Sequence, residues 1–367
     1  MVFSKFSITI ATLLAFLVGN GSPGPVAAGD ETLPRAPATR PLVLYNWQDD
    51  IPPQVLESFT RQTGIAIDYH TFTSQEEAVE KLRAGKICDV AVIEGRFLPT
   101  LAREDLLHRL NYENIPNIKY ISPNFRNLSY DPDNLHSIPY SWGTTGILVN
   151  TALTGDAVRG WADFWNDRYR GQVALSISYP REALGMTLKS LGYSANSENP
   201  QEIKAAFAKL HLLQLSPDSL RFQYPEFGPA MMSGNTTALA IGFSGDLLES
   251  RKQGLAVDYV LPEEGLLLWA DAFVVPKSSH QKPTAELFIN YLLQPEISAA
   301  IVNEKFYASA NEAARPLINP AILADEAIYP SDAMLANAEI IEPLSPAAQA
   351  MVDAAWQSFL SPVGKAP

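Results

Sequence analysis

The sequence predicts an α/β fold arranged as two lobes around a cleft. Short apolar runs alternate with amphipathic segments from residue 41 to about 107, and the rhythm resumes beyond residue 140, which favours a sheet with helices on its faces. The length of 367 residues suits about two domains at ~150 residues each. The composition is globular, with 47% hydrophobic, 10% aromatic and only 18% charged residues, and so lies outside the disordered, collagenous and membrane-embedded classes.

The first 28 residues read as a secretory signal. Lys5 and the terminal amine precede an apolar run from Phe6 to Val18, the stretch from Gly19 to Pro25 breaks any helix, and Val26-Ala27-Ala28 supplies small residues, so cleavage is expected after Ala28. An apolar run of 13 residues is too short to cross about 30 Å of hydrocarbon at ~1.5 Å per residue. Residues 29–40 read as a disordered lead. Of the 27 basic side chains only Lys5 lies in the export segment, so the remaining 339 residues hold 26 basic against 40 acidic side chains, a balance of −14. Such an acidic surface argues against a nucleic-acid partner and mildly favours cationic ligands.

From residue 41 the elements follow in order. Pro41 to Tyr45 reads as a buried strand, Pro52-Pro53 opens a helix that Gly64 stops, and Ile65 to Tyr69 is a second strand. Ser74 and Glu77 form a possible capping box for a helix ending near Gly85. A strand over Asp89 to Ile93 and a helix over Phe97 to Leu107 complete the first run. Later strands are expected over Gly146 to Asn150, Gln172 to Ile177, Thr237 to Ile241, Val257 to Leu261 and Asp271 to Val275. Helices open at Pro180 and Pro200, and others are expected over 282–293, 295–304 and Ser345 to Phe359.

Ligands in open α/β sheets sit beyond the carboxyl ends of strands. The loops at those places carry Trp47, Asp49 and Asp50; Glu94 and Arg96; Tyr179, Arg181 and Glu182; and Phe243. Trp269 and Asp271 lie at a second expected crossover. The set is rich in rings and carboxylates, a chemistry that suits an aliphatic cation: an aromatic face attracts an alkylammonium by roughly 0.5–2 kcal/mol, and carboxylates accept its N–H donors. The single cysteine, Cys88, excludes an intrachain disulfide and a structural cysteine-zinc site. The five histidines lack metal-ligand spacing. No cofactor, catalytic residue or metal site is implied.

A series of motifs runs in order along the chain: Tyr45-Asn46-Trp47, Ile51-Pro52-Pro53, Thr63-Gly64-Ile65, Ser137-Ile138-Pro139-Tyr140-Ser141-Trp142-Gly143 and Trp161-Ala162-Asp163. It continues through Leu191-Gly192-Tyr193-Ser194, Leu261-Pro262-Glu263-Glu264-Gly265, Trp269-Ala270-Asp271, Ala313-Ala314-Arg315 and Ile328-Tyr329-Pro330. In these motifs the chain resembles the periplasmic spermidine/putrescine-binding proteins of ABC importers. The resemblance implies a type II periplasmic binding protein fold whose α/β lobes are joined by two crossover segments, near 140–148 and 268–274. The N-terminal lobe would take 41–142 plus 272–318, and the C-terminal lobe 143–271 plus 319–367. A monomer in the periplasm would capture a polyamine, close by hinge bending and deliver it to an inner-membrane permease, without catalysis.

Carried over residue by residue, the resemblance implies ligand contacts at Trp47, Asp49, Glu182, Trp269, Asp271 and Tyr307, with Asp50 competing with Asp49 for one role. Several positions depart from the family pattern. Tyr179 replaces an acid, Phe243 a tryptophan, Glu94 a small hydroxyl and Arg96 a tyrosine, and Ile341 loosely replaces an amide. These changes leave open a rearranged set of charges around a polyamine, or a zwitterionic amine such as 4-aminobutyrate bound through Arg96 or Arg181. A ferric-ion binder using Tyr179 and Tyr307, an exported hydrolase using Asp49 and Glu182, and a polyamine sensor are the readings from other classes.

Overall fold

The computed structural model describes residues 40–155, 158–176, 179–213, 230, 232–233 and 236–361. The expected signal over 1–28, the lead as far as residue 39 and the end of the strand expected over 172–177 lie outside the described residues.

The first part of the chain alternates β1 (Leu42–Trp47), α1 (Pro53–Thr63), β2 (Ile67–Phe72), α2 (Gln75–Arg83), β3 (Val90–Glu94) and α3 (Leu98–Arg103). Local chemistry sets the boundaries. Pro53 opens α1, and Gly64 ends it in the left-handed region at φ 78°, its N–H donating to the Thr60 carbonyl. Ser74 caps α2 by accepting from Glu77 N at 3.2 Å, but the Glu77 carboxylate accepts from Thr73 N, so only half of the expected capping box forms. The helix expected to reach Leu107 stops at Arg103, because Asp105 takes φ 53° and Leu107 turns away to bridge Pro276.

The centre of the molecule is β4 (Ser137–Asn150), a 14-residue strand buried along its whole length. It is much longer than the strand expected over 146–150. After it come α4 (Thr151–Thr154), β5 (Val173–Ala174), α5 (Pro180–Lys189), α6 (Pro200–Leu210), β6 (Leu239–Phe243), α7 (Ser244–Lys252), β7 (Val257–Val260) and β8 (Leu267–Val274). The chain closes with α8 (Lys282–Leu292), α9 (Pro295–Lys305), β9 (Ala308–Ser309), α10 (Pro320–Leu323), α11 (Asp332–Leu335), β10 (Glu339–Ile340) and α12 (Pro346–Leu360).

The strand order is β2-β1-β3-β8-β4-β6-β5, with β10 on β8 and both β7 and β9 on β4. β1 pairs in parallel with β2 and β3, and β5 with β6, while β3–β8, β8–β4 and β4–β6 are antiparallel. One end of β4 therefore belongs with β3, β8 and β9, and the other with β6 and β7. The β4–β8 ladder runs from Ser137 opposite Val274 to Thr145 opposite Leu267, and a bulge between Pro139 and Ser141 shifts its register. The bulge lets proline sit inside a long strand.

Two large cores flank this ladder. One gathers Leu42, Leu44, Phe59, Val90, Phe288 and Tyr291 around the first helices and α8. The other gathers Trp161, Tyr169, Met186, Leu188 and Ile203 with Trp356 of α12. Each large apolar side chain buried there contributes on the order of 1.5–3 kcal/mol. A smaller cluster packs Ile318, Ile322 and Ile328 against Trp142, Ala299 and Val302. Trp142 and Trp161 are packing residues, and Cys88 is fully buried with its thiol pKa raised chiefly by that burial. No helix among the described residues is long and apolar enough to cross a membrane.

Away from the strand ends that form the cleft, Asp89 ties the first core together. It is fully buried and accepts two 2.9 Å bonds from the Arg40 guanidinium, one from Val43 N at 2.9 Å and one from the Ser279 hydroxyl at 2.7 Å. Removing one partner of a buried charged network strands the others. Asp89→Ala is expected to lower unfolding free energy by about 3 kcal/mol or more, read from the urea midpoint. An unchanged midpoint would show that the network contributes nothing to stability.

Candidate functional site

Strand ends from both halves of the sheet converge on one slot. Its atom-free volume, mouth included, is about 510 Å³, and it is lined by Trp47, Asp50, Glu94, Tyr179, Glu182, Phe243, Trp269, Asp271 and Tyr307. Trp47 and Glu94 are the last residues of β1 and β3, and Phe243 is the last of β6. Tyr179 and Glu182 stand at the start of α5, and Trp269 and Asp271 lie within β8.

The walls are aromatic. Tyr179 meets Phe243 edge to face at 4.9 Å, Phe243 meets Trp269 at 6.2 Å, and Trp269 meets Tyr307 at 5.2 Å, all within the range of T-shaped ring pairs. Two glycines make room for these rings. A Cβ on Gly143, which pairs with Trp269 across β4 and β8, would lie 2.5 Å from the indole. A Cβ on Gly245, in the first turn of α7, would lie 2.4 Å from the Tyr307 ring. Neither requirement was visible in the sequence: Gly143 falls inside a recognised motif, but nothing in its neighbourhood announces the ring above it.

The polar groups fall into two sets. Asp271, only 6% exposed, accepts from the Trp47 indole N–H at 3.0 Å. Burial pushes its pKa well above the ordinary carboxyl value, and the charges of Glu94 and Asp50 push it further, while the Trp47 bond and Arg96 oppose the rise. Asp50 accepts from the Asn46 amide at 2.9 Å, and burial likewise raises its pKa, against the Asn46 bond and the neighbouring Tyr140 hydroxyl. Asn46 also braces the loop by accepting from Trp47 N at 2.7 Å.

The second set lies around Glu182, in the first turn of α5, where the helix end favours negative charge. Glu182 is 2% exposed and its Oε2 has no hydrogen-bond partner. Burial lifts its pKa to about 7, with Arg96 pulling it down and Glu94 pushing it up. Glu94 itself, paired in the ladder with Asp271, forms an ion pair through Oε2 with Arg96 Nε at 2.9 Å and leaves Oε1 without a hydrogen-bond partner. Arg96 stacks on Phe97 at 4.5 Å. Burial works against its charge, yet Glu94, Glu182 and Glu76 outweigh that and hold its pKa above the ordinary value. Arg181 is 1% exposed, and burial followed by Arg96 lowers its pKa to about 10.

Of the eleven residues singled out from the sequence, nine line the slot. Asp49 does not: it is exposed, at φ 57°, and its contact is a 3.4 Å bond from Gln48. In the competition between neighbouring aspartates, the left-handed turn at Asp49 directs that residue to solvent and Asp50 into the cavity. Arg96 does not line the slot either; it stands behind Glu94. Ile341, the loosely aligned amide position, is buried in the second core. Arg181, offered with Arg96 as a carboxylate contact, is buried and does not line the slot either, while Asn46 and Tyr140 are supporting polar residues that the sequence did not single out. Among the described residues, no three His, Cys, Asp or Glu side chains come together to hold a metal ion.

A model of the bacterial extracellular solute-binding protein family matches residues 54–330. The chain belongs to that family. This solute-binding protein is 33% identical over 301 residues to the spermidine/putrescine-binding periplasmic protein of Escherichia coli (strain K12), an alignment covering 81% of this chain and 85% of that one. It is 32% identical over 371 residues to the putrescine-binding periplasmic protein SpuD of Pseudomonas aeruginosa (strain UCBPP-PA14), covering 95% and 98%. Its fold superposes on a putative spermidine/putrescine ABC transporter structure from Listeria monocytogenes with a TM-score of 0.79 at 32% identity, covering 88% of this chain and 99% of that one. The resemblance carried by the ordered motifs is thus a family relationship, and the architecture is the two-lobed type II binding fold.

A carboxyl that titrates near neutrality is directly observable. In infrared difference spectra between the ligand-free wild type and Glu182→Gln, a protonated-carboxyl band is expected to disappear with a midpoint near pH 7, following the value of about 7. A midpoint near the ordinary carboxyl range, about pH 4–5, would contradict the desolvated site described here.

Proposed function

We propose that this chain is the polyamine-capturing component of an ABC importer, binding spermidine or putrescine through Trp47, Asp50, Glu94, Tyr179, Glu182, Phe243, Trp269, Asp271 and Tyr307. The observation that carries the reading is a set of buried carboxyls between aromatic rings. Glu94 and Glu182 each keep an oxygen without a hydrogen-bond partner, Asp271 is raised well above its ordinary pKa, and Glu182 is raised to about 7. Asp271 and Glu182 hold their protons until a cation arrives. An alkyl-diammonium supplies two cationic ends joined by methylenes. The ends satisfy the two carboxyl sets, and the methylenes lie along the rings, where each buried CH₂ contributes about 0.8 kcal/mol. The names of the relatives point to the same ligand class.

The zwitterionic alternative needs a cation for the ligand carboxylate. Arg96 is committed to Glu94 behind the wall, and no arginine among the described residues lines the slot. The role is carriage, not catalysis. The mature chain works as a periplasmic monomer after cleavage behind Ala28. It takes the amine into the slot, bends at the long β4 and β8 strands to close the lobes, and hands its cargo to an inner-membrane permease.

Calorimetric titration with putrescine, spermidine, agmatine and 4-aminobutyrate tests this directly. Putrescine or spermidine is expected to bind with a Kd of about 1 μM or lower, and Asp271→Asn to weaken it by roughly 100-fold. Binding of 4-aminobutyrate alone would overturn the assignment.

A further inference from the structure

Arg96 is a buried cation in a site read as one that binds cations. Its side chain is 8% exposed, it contacts Glu94 at 2.9 Å and Glu76 at 3.8 Å, and its guanidinium stacks on Phe97. Glu94 lines the slot; Arg96 does not. The guanidinium therefore reaches a slot carboxylate from the protein side, as a ligand ammonium would from the cavity side. Arg181 lies nearby and is almost fully buried. Its Nη2 donates to Asn196 Oδ1 at 3.3 Å and to the Glu342 carbonyl at 3.2 Å, while Nε and Nη1 have no hydrogen-bond partner.

The charges can be counted. Asp50, Glu94, Glu182 and Asp271 bring four carboxylates to the slot. Arg96 and Arg181 stand against them as two cations; Lys305, which also bears on Asp50, is paired with Glu304 at 3.5 Å, and Glu76 beside Arg96 is half-exposed to solvent, so the slot itself keeps a formal deficit of two positive charges. A diamine fills that deficit. A triamine carries one cation more than the ionised carboxylates can neutralise, and a buried unpaired charge is strongly disfavoured.

We propose that Arg96 acts as a built-in substitute for the third ammonium of a triamine, neutralising Glu94 internally and restricting the site to diamines. The inference rests on the polyamine reading above and narrows it. Arg96 is a specificity-determining residue that acts through Glu94 and not by touching the ligand.

The test compares putrescine with spermidine by calorimetry on the full mature chain. In the wild type, putrescine is expected to bind about tenfold more tightly or better. Arg96→Gln and Arg96→Met free Glu94 and should move the ratio toward spermidine by about tenfold or more. Arg96→Lys keeps the charge and should keep the wild-type preference. A wild type that prefers spermidine, or binds the two amines equally, overturns the inference without any variant. An unchanged ratio in the Gln and Met variants, with amine binding intact, also overturns it while leaving the polyamine assignment standing. If the wild type binds neither amine, both readings fall.

Discussion

Four carboxylates share one aromatic slot with too little positive charge to balance them, and much of the architecture follows from holding them there. Removing an ion from water without full compensation costs several kcal/mol. The fold offsets this in part, through the Trp47 bond to Asp271, the Asn46 bond to Asp50, the helix start beneath Glu182 and the Arg96 contact with Glu94. What remains shows as raised pKa values at Asp271, Asp50 and Glu182. These carboxyls are thus held short of their best electrostatic arrangement, and a cation of the right charge supplies what is missing.

Such a site needs rigid walls and room to close. The antiparallel β4–β8 pair provides both, because it links the two halves of the sheet and carries Trp269 and Asp271 in the middle of its run. The rings seat only because β4 has glycine at 143 and α7 has glycine at 245. Side chains at either position would displace the aromatic wall before any ligand entered. Binding chemistry and backbone composition are linked here at particular residues, not only through the general shape of the fold.

Much of this was legible in the sequence. The α/β rhythm, the proline-opened helices and the Gly64 stop follow from local chemistry, and the rings and acids at strand ends follow from where open sheets place their loops. Less could be read where tertiary contacts decide. The full length of β4 was hidden because Ser137–Gly143 reads as a motif full of polar and aromatic residues, not as a strand; pairing with β8 from Ser137 to Thr145 makes it one. The choice of Asp50 over Asp49 depends on a single left-handed φ. Offering Arg96 as a contact for a ligand carboxylate was a fair reading of a cation near the cleft, but sequence could not show that the guanidinium pairs with Glu94 and does not line the slot.

If buried carboxyls keep their protons until an ammonium replaces them, binding is also a proton exchange. Calorimetric titration with putrescine at about pH 6.5, repeated in buffers of different ionisation enthalpy, measures the protons exchanged on binding. Release of about one to two protons per putrescine bound is expected, seen as a dependence of the apparent enthalpy on the buffer. An enthalpy independent of the buffer would mean that the carboxylates are already ionised in the empty slot, and would contradict the claim that the vacant site stores protons.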